Sequence, residues 1–130
     1  MGKAIGVGGV FLHLKGEKQA LHDWYETHLR LSMSPYGTGF IEGKQLMLVS
    51  LVSTDNNAPV INFRVDNIEE IAKELKSIQI EFVMDVETYS YGKFARFVDP
   101  FGNLIELWEA NEEAYIDMVK SEIENYKHKK

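Results

Sequence analysis

The feature that most constrains this chain is a repeat inside it. Val10-Phe11-Leu12-His13-Leu14-Lys15-Gly16 can be laid residue for residue on Ile61-Asn62-Phe63-Arg64-Val65-Asp66-Asn67. In both copies apolar residues alternate (Val10, Leu12, Leu14; Ile61, Phe63, Val65), the pattern of a strand with one buried face. A polar turn and an amphipathic helix follow in each, so one supersecondary unit is used twice.

The spacing predicts a first helix from about Glu17 to Leu29, with Ala20, Leu21, Trp24, Tyr25 and Leu29 on one side. It predicts a second from about Ile68 to Ile78, carrying Ile68, Ile71, Ala72, Leu75 and Ile78. Asn67 followed by Glu70 reads as a capping box that starts the second helix sharply. Three short apolar segments follow each helix: near Leu31–Ser34, Gly39–Ile41 and Gln45–Val52, then near Glu81–Met84, Phe94–Val98 and Leu104–Trp108. Ser53 to Pro59 is a polar connector, and Asp99-Pro100-Phe101-Gly102-Asn103 makes a tight turn between the last two strands.

The expected fold is therefore α+β: two β-α-β-β-β repeats, about 5–53 and 58–110, forming a curved mixed sheet that encloses a cup. Residues 1–110 make one domain, and 111–130 add a C-terminal helix with Ala114, Tyr115, Met118, Val119, Ile123 and Tyr126 as an apolar stripe. That helix packs on its own domain or on a second subunit.

Composition narrows the function classes. With no cysteine among 130 residues, disulfides, thiolate metal sites and a cysteine nucleophile are excluded. The net charge of −6 disfavours phosphate backbones, and the one basic cluster is Lys127 to Lys130 at a helix end, so nucleic acid is not an expected partner. No apolar run is long enough to span a membrane and no secretory signal is evident. The expected location is the cytoplasm. No phosphate loop, dinucleotide fingerprint, nucleophile elbow or His-Glu-x-x-His pair is present.

The closing sequence Tyr91-Gly92-Lys93-Phe94-Ala95-Arg96-Phe97-Val98-Asp99-Pro100-Phe101-Gly102-Asn103-Leu104-Ile105-Glu106-Leu107-Trp108-Glu109, on a duplicated β-α-β-β-β frame, resembles the vicinal oxygen chelate superfamily. That group includes glyoxalase I, the fosfomycin-resistance enzymes, extradiol dioxygenases and bleomycin-resistance proteins. Asp23-Trp24-Tyr25 and His28-Leu29 support the resemblance, which covers residues 5 to 110. Arg30 departs from it, because many members end this helix on a glycine in the left-handed conformation. The expectation here is a different helix end.

Strand alternation assigns the faces. If Val10, Leu12, Leu14, Ile61, Phe63, Val65, Ile105 and Leu107 lie under the helices, the cup side carries Gly9, Phe11, His13, Val60, Asn62, Arg64, Leu104, Glu106 and Trp108. The resemblance implies metal-ligand corners at Gly9, Val60, Met47 or a neighbour, and Glu106. Only Glu106 can coordinate there, and one carboxylate does not hold a divalent ion. His13 lies roughly 13 Å along the strand from Gly9 and does not complete the set. No metal and no cofactor are expected.

Glu106 is the candidate catalytic residue, as a general base or a ligand anchor; the structural alternative pairs it with Arg64, Asn62 or His13. Phe11, His13, Asn62, Arg64, Tyr91 and Trp108 are the candidate ligand-binding residues, with Arg64 suited to an anion and Tyr89 and Tyr91 on a loop able to close over the cup. His22 and His28 are expected in solvent or at a helix end. The sequence thus points to a metal-independent protein that binds a small organic ligand, as a homodimer by the resemblance. The alternatives are a metal-dependent glyoxalase-type lyase or ring-cleaving dioxygenase, a metal-free isomerase or lyase using Glu106, and a partner-binding module using the C-terminal helix.

Overall fold

The computed structural model describes residues 2, 10, 12–33, 39, 40 and 58–129. Its elements in chain order are α1 (Lys18–Leu29), β1 (Ser32–Met33), β2 (Gly39–Phe40), β3 (Ile61–Arg64), α2 (Ile68–Ser77), β4 (Glu81–Tyr89), β5 (Gly92–Val98), β6 (Leu104–Ala110) and α3 (Glu112–Lys129). The class is α+β. The expected segment Gln45–Val52 and the candidates Phe11, Gly9 and Met47 lie outside the described residues.

Strands β3 to β6 form one mixed sheet in the order β3-β6-β5-β4. Strand β3 runs parallel to β6, with Asn62 opposite Glu106 and Arg64 opposite Trp108. The β5–β6 and β4–β5 pairs are antiparallel. The parallel pair follows from chain economy: α2 crosses over the sheet between β3 and β4, and two tight reversals then return β6 beside β3. A separate antiparallel pair joins β1 and β2.

Alternation along these strands sends Phe63, Ala95, Phe97, Ile105 and Leu107 to the side covered by the helices, where all are buried. Tyr25 from α1 and Ile68 and Leu75 from α2 complete that core. Phe97 is its hub, 6.1 Å from the Trp24 ring and 5.7 Å from Phe82. Each such large side chain contributes roughly 1.5–3 kcal/mol by leaving water.

The start of α2 carries the N-cap that the sequence predicts, with one of the two bonds of a capping box formed. Asn67 Oδ1 accepts from the Glu70 backbone N–H at 3.1 Å, while the Glu70 carboxylate takes the Asn67 side-chain amide and not its backbone N–H. The next free amide, Ile68 N–H, is satisfied by Glu109 Oε1 on β6 at 2.9 Å, which ties the helix start to the sheet.

Three expectations are corrected. Leu12–Leu14 is not part of a strand, and Val10 is exposed where burial under the helices was expected. The chain is held there by a side chain instead: Asn103 Oδ1 accepts from Lys15 N–H at 2.8 Å, and Asn103 Nδ2 donates to Lys15 carbonyl at 2.9 Å. One buried amide thus fixes the backbone at Lys15 through both its polar groups, and Leu14 packs on the core. Second, α1 does end on a left-handed residue, and it is Arg30 itself, at φ 55° and ψ 37°. Its N–H donates to Tyr25 carbonyl, and that closing bond holds an arginine in a conformation that suits glycine. Third, Tyr89 belongs to β4 and Tyr91 to the tight turn before β5, so neither lies on a loop free to close. The strands extend further than their apolar segments because backbone pairing continues through Thr88–Lys93 and Tyr89–Gly92.

Candidate functional site

The family-like turn Asp99 to Asn103 is a closed hydrogen-bond network. Asp99 Oδ1 accepts from Phe101 N–H at 2.9 Å and Asn103 N–H at 2.8 Å, and Asp99 Oδ2 accepts from Asn103 Nδ2 at 2.9 Å and Tyr25 hydroxyl at 2.6 Å. Asp99 and Asn103 are the buried polar residues among those described. Burial and the Asp99 bond push the Tyr25 phenol well above its ordinary value. The most specific motif in the sequence is therefore a scaffold, with every acceptor site engaged.

The chemistry lies on the opposite side of the sheet, in two rows running across the strands. The first joins Asn62, Glu106 and Arg96 from β3, β6 and β5. Asn62 Nδ2 donates to Glu106 Oε1 at 2.7 Å, and Arg96 Nε donates to Glu106 Oε2 at 2.8 Å. The Glu106 side chain is 14% exposed and that of Arg96 38%, so the row opens to solvent at its arginine end.

The second row joins Arg64, Trp108 and Phe94. Phe94 and Trp108 stack at 5.3 Å and 12°, and the Arg64 guanidinium lies 4.3 Å over the Trp108 ring. Tyr89 and Tyr91, stacked at 5.7 Å, extend the aromatic surface beyond Phe94. Trp108 is nonetheless buried, because Tyr115 from α3 meets it edge-on at 4.5 Å. Arg64 also pairs with Glu112 of α3 at 2.6 Å.

The structure thus brings Asn62, Glu106, Arg64 and Trp108 onto one face. Among the described residues the hydrogen-bond partners of Glu106 are Asn62 and Arg96; the Arg64 and His13 pairings are not formed. Arg64 is drawn instead to Glu112 and the Trp108 ring. His13 is exposed on the segment held by Asn103, and Tyr91 sits half-buried at the hairpin turn. His28 is half-buried against Trp24, ring centroids 4.9 Å apart, and not in solvent.

Arg96 is the residue that the sequence reading missed. The signal was present: counting outward equally from Asp99 and Asn103 sets Arg96 opposite Glu106. That register also puts the two side chains on one face.

Among the described residues no helix is long and apolar enough to cross a membrane. A family model described as the Glyoxalase/Bleomycin resistance protein/Dioxygenase superfamily matches residues 18–107. A solved structure similar to this chain is that of a member of the Glyoxalase/bleomycin resistance protein/dioxygenase superfamily from Sphaerobacter thermophilus DSM 20745, at 20% identity, TM-score 0.49, 79% of this chain and 99% of that one. No curated protein matches.

Proposed function

The chain belongs to the glyoxalase/bleomycin resistance protein/dioxygenase superfamily, and from that premise we propose that it binds a small organic ligand against the open face of its sheet, without a resident metal. The observation that carries this reading is the Asn62–Glu106–Arg96 row beside an aromatic row on the same face. A few fixed polar groups set in an apolar surface are what small-molecule sites use for orientation and specificity. In this reading the N-terminal repeat completes a cup, residues 1–110 act as one domain, and the protein works as a cytoplasmic homodimer.

The divalent ion of many superfamily members does not fit these residues. Gly9 and Val60 carry no donor atom at the corners that the resemblance assigns. Glu106 already accepts on both oxygens, and among the described residues no three His, Cys, Asp or Glu side chains form a group able to hold an ion. Each Glu106 oxygen is directed at a fixed donor on a neighbouring strand, Asn62 on one side and Arg96 on the other. Glu106 is better suited to orient Arg96, whose guanidinium offers further N–H groups to an acceptor on the ligand.

The test is calorimetry or NMR titration of chelator-treated protein with a panel of aromatic and anionic organic compounds. Binding is expected without metal, and Arg96→Ala should weaken it about tenfold, the order expected for a lost charge-assisted hydrogen bond. If every ligand found requires added Ni, Zn, Mn or Fe, the reading is wrong.

A further inference from the structure

The aromatic row of the open face has an occupant within the chain. Glu112 and Tyr115 stand three residues apart at the start of α3, so the helix delivers a carboxylate and a ring on one side. The carboxylate goes to Arg64 at 2.6 Å and the ring to Trp108 at 4.5 Å and 86°, with the Arg64 guanidinium 5.6 Å from the Tyr115 ring. Tyr115 is 6% exposed, whereas the helix beyond it turns outward: residues 120–125 are all exposed, Ile123 at 50%. The helix is seated by its first turn. The start is fixed by Asn111 N–H donating to Tyr91 carbonyl at 3.0 Å. Even so seated, Trp108 Nε1 is buried with no acceptor among the described residues.

Resting on the ligand-binding reading above, we propose that Glu112 and Tyr115 are an internal stand-in for the ligand, that the ligand class is aromatic carboxylic acids, and that ligand and helix compete for Arg64 and Trp108. The chemistry of the occupant defines what displaces it: a planar ring to meet the indole and a carboxylate to take the guanidinium fork. The contacts that hold the helix are individually weak. The Arg64–Glu112 pair has its carboxylate 48% exposed, so solvent screens it, and the Tyr115 ring with the half-buried Ile116, Met118 and Val119 supplies the apolar hold. An incoming acid repeats both contacts, and its apparent affinity is lowered by the fraction of molecules in which the helix is seated.

The experiment uses the full chain and two variants, Glu112→Gln and Tyr115→Ala, titrated calorimetrically with 3-(4-hydroxyphenyl)propionate and with its neutral primary amide. Both ligands need the Trp108 ring that the seated helix covers, so Glu112→Gln should tighten both about three- to fivefold and Tyr115→Ala both about tenfold or more, with the acid binding more tightly than the amide throughout. In the unaltered protein, saturation with the acid should speed hydrogen exchange at the amides of Tyr115 to Val119. If Tyr115→Ala fails to fold, Glu112→Gln and the exchange measurement decide. Equal or weaker acid binding by Glu112→Gln, or slower exchange in α3, overturns the proposal. If other compounds of the panel bind but the acid binds none of the three proteins, the stand-in is wrong and the ligand-binding reading survives. If no compound binds any of them, both fall.

Discussion

The Tyr25 hydroxyl donates to Asp99 Oδ2 at 2.6 Å, joining the first helix to the turn between the last two strands across 74 residues of chain. Both groups are buried, so the bond forms where water cannot replace it. Tyr25→Phe keeps the ring against Phe63 but leaves Asp99 Oδ2 with Asn103 alone. It should cost about 1–3 kcal/mol in urea unfolding at neutral pH with little change in slope.

The same bond makes stability depend on alkaline pH. Burial and Asp99 raise the Tyr25 phenol in the folded state above its ordinary 10.0, so folding favours the neutral form. Its contribution is fully present below that ordinary value and is lost as pH rises through the interval up to the raised one. Unfolding free energy measured from pH 8 to about pH 11 should fall more for the unaltered protein than for Tyr25→Phe. Parallel curves would show that this phenol does not couple to folding.

Arg30 holds the left-handed position after α1, a conformation that costs an L-residue about 1 kcal/mol or more. Arg30→Gly should stabilise the protein by up to about that amount, less the added freedom of glycine in the unfolded chain. A loss of stability in thermal unfolding would mean that the arginine side chain makes a contribution larger than its backbone strain.

Gly92 opens β5 at φ +142°, and a Cβ there would lie 2.5 Å from Glu109 carbonyl and 2.7 Å from Trp108 Nε1. Neither neighbour can retreat, one being backbone and the other a buried indole. Gly92→Ala should destabilise by about 2–4 kcal/mol and displace Trp108, read as a shift in indole emission. Unchanged stability would show that the hairpin accommodates the methyl group.

Much of the second half was legible because its signals are local. The alternation in Ile61 to Val65 and the 3.6-residue period from Ile68 to Ile78 each encode a buried face without reference to the rest of the chain. Asn67 and Glu70 marked the helix start for the same reason. The first strand illustrates the failure of that logic. Leu12 and Leu14 alternate like Phe63 and Val65, yet alternation only says that one side is apolar, and a strand also needs a partner for its backbone. At Lys15, the residue after Leu14, the backbone partner is the Asn103 side chain, 88 residues away.

The candidate site divides in the same way. Glu106 and Asn62 were assigned to one face by period alone, and they meet there. Arg64, Asn62 and His13 were the alternatives for pairing with Glu106; Asn62 takes that place, while Arg64 lies in the adjacent row and pairs with Glu112 on a later helix. Trp108 was expected to line an open surface; Tyr115 buries it.

By itself the sequence determined the family, the α+β class and which side of each second-half strand is apolar, since these follow from spacing and from a motif whose hydrogen bonds close within five residues. Only the tertiary structure decided who pairs with whom: Asp99 with Tyr25, Asn103 with Lys15, Glu106 with Arg96, and α3 with the aromatic row. Side-chain charge and shape permit many such pairings, and the register of strands and the docking of helices select among them by bringing one set within hydrogen-bond reach.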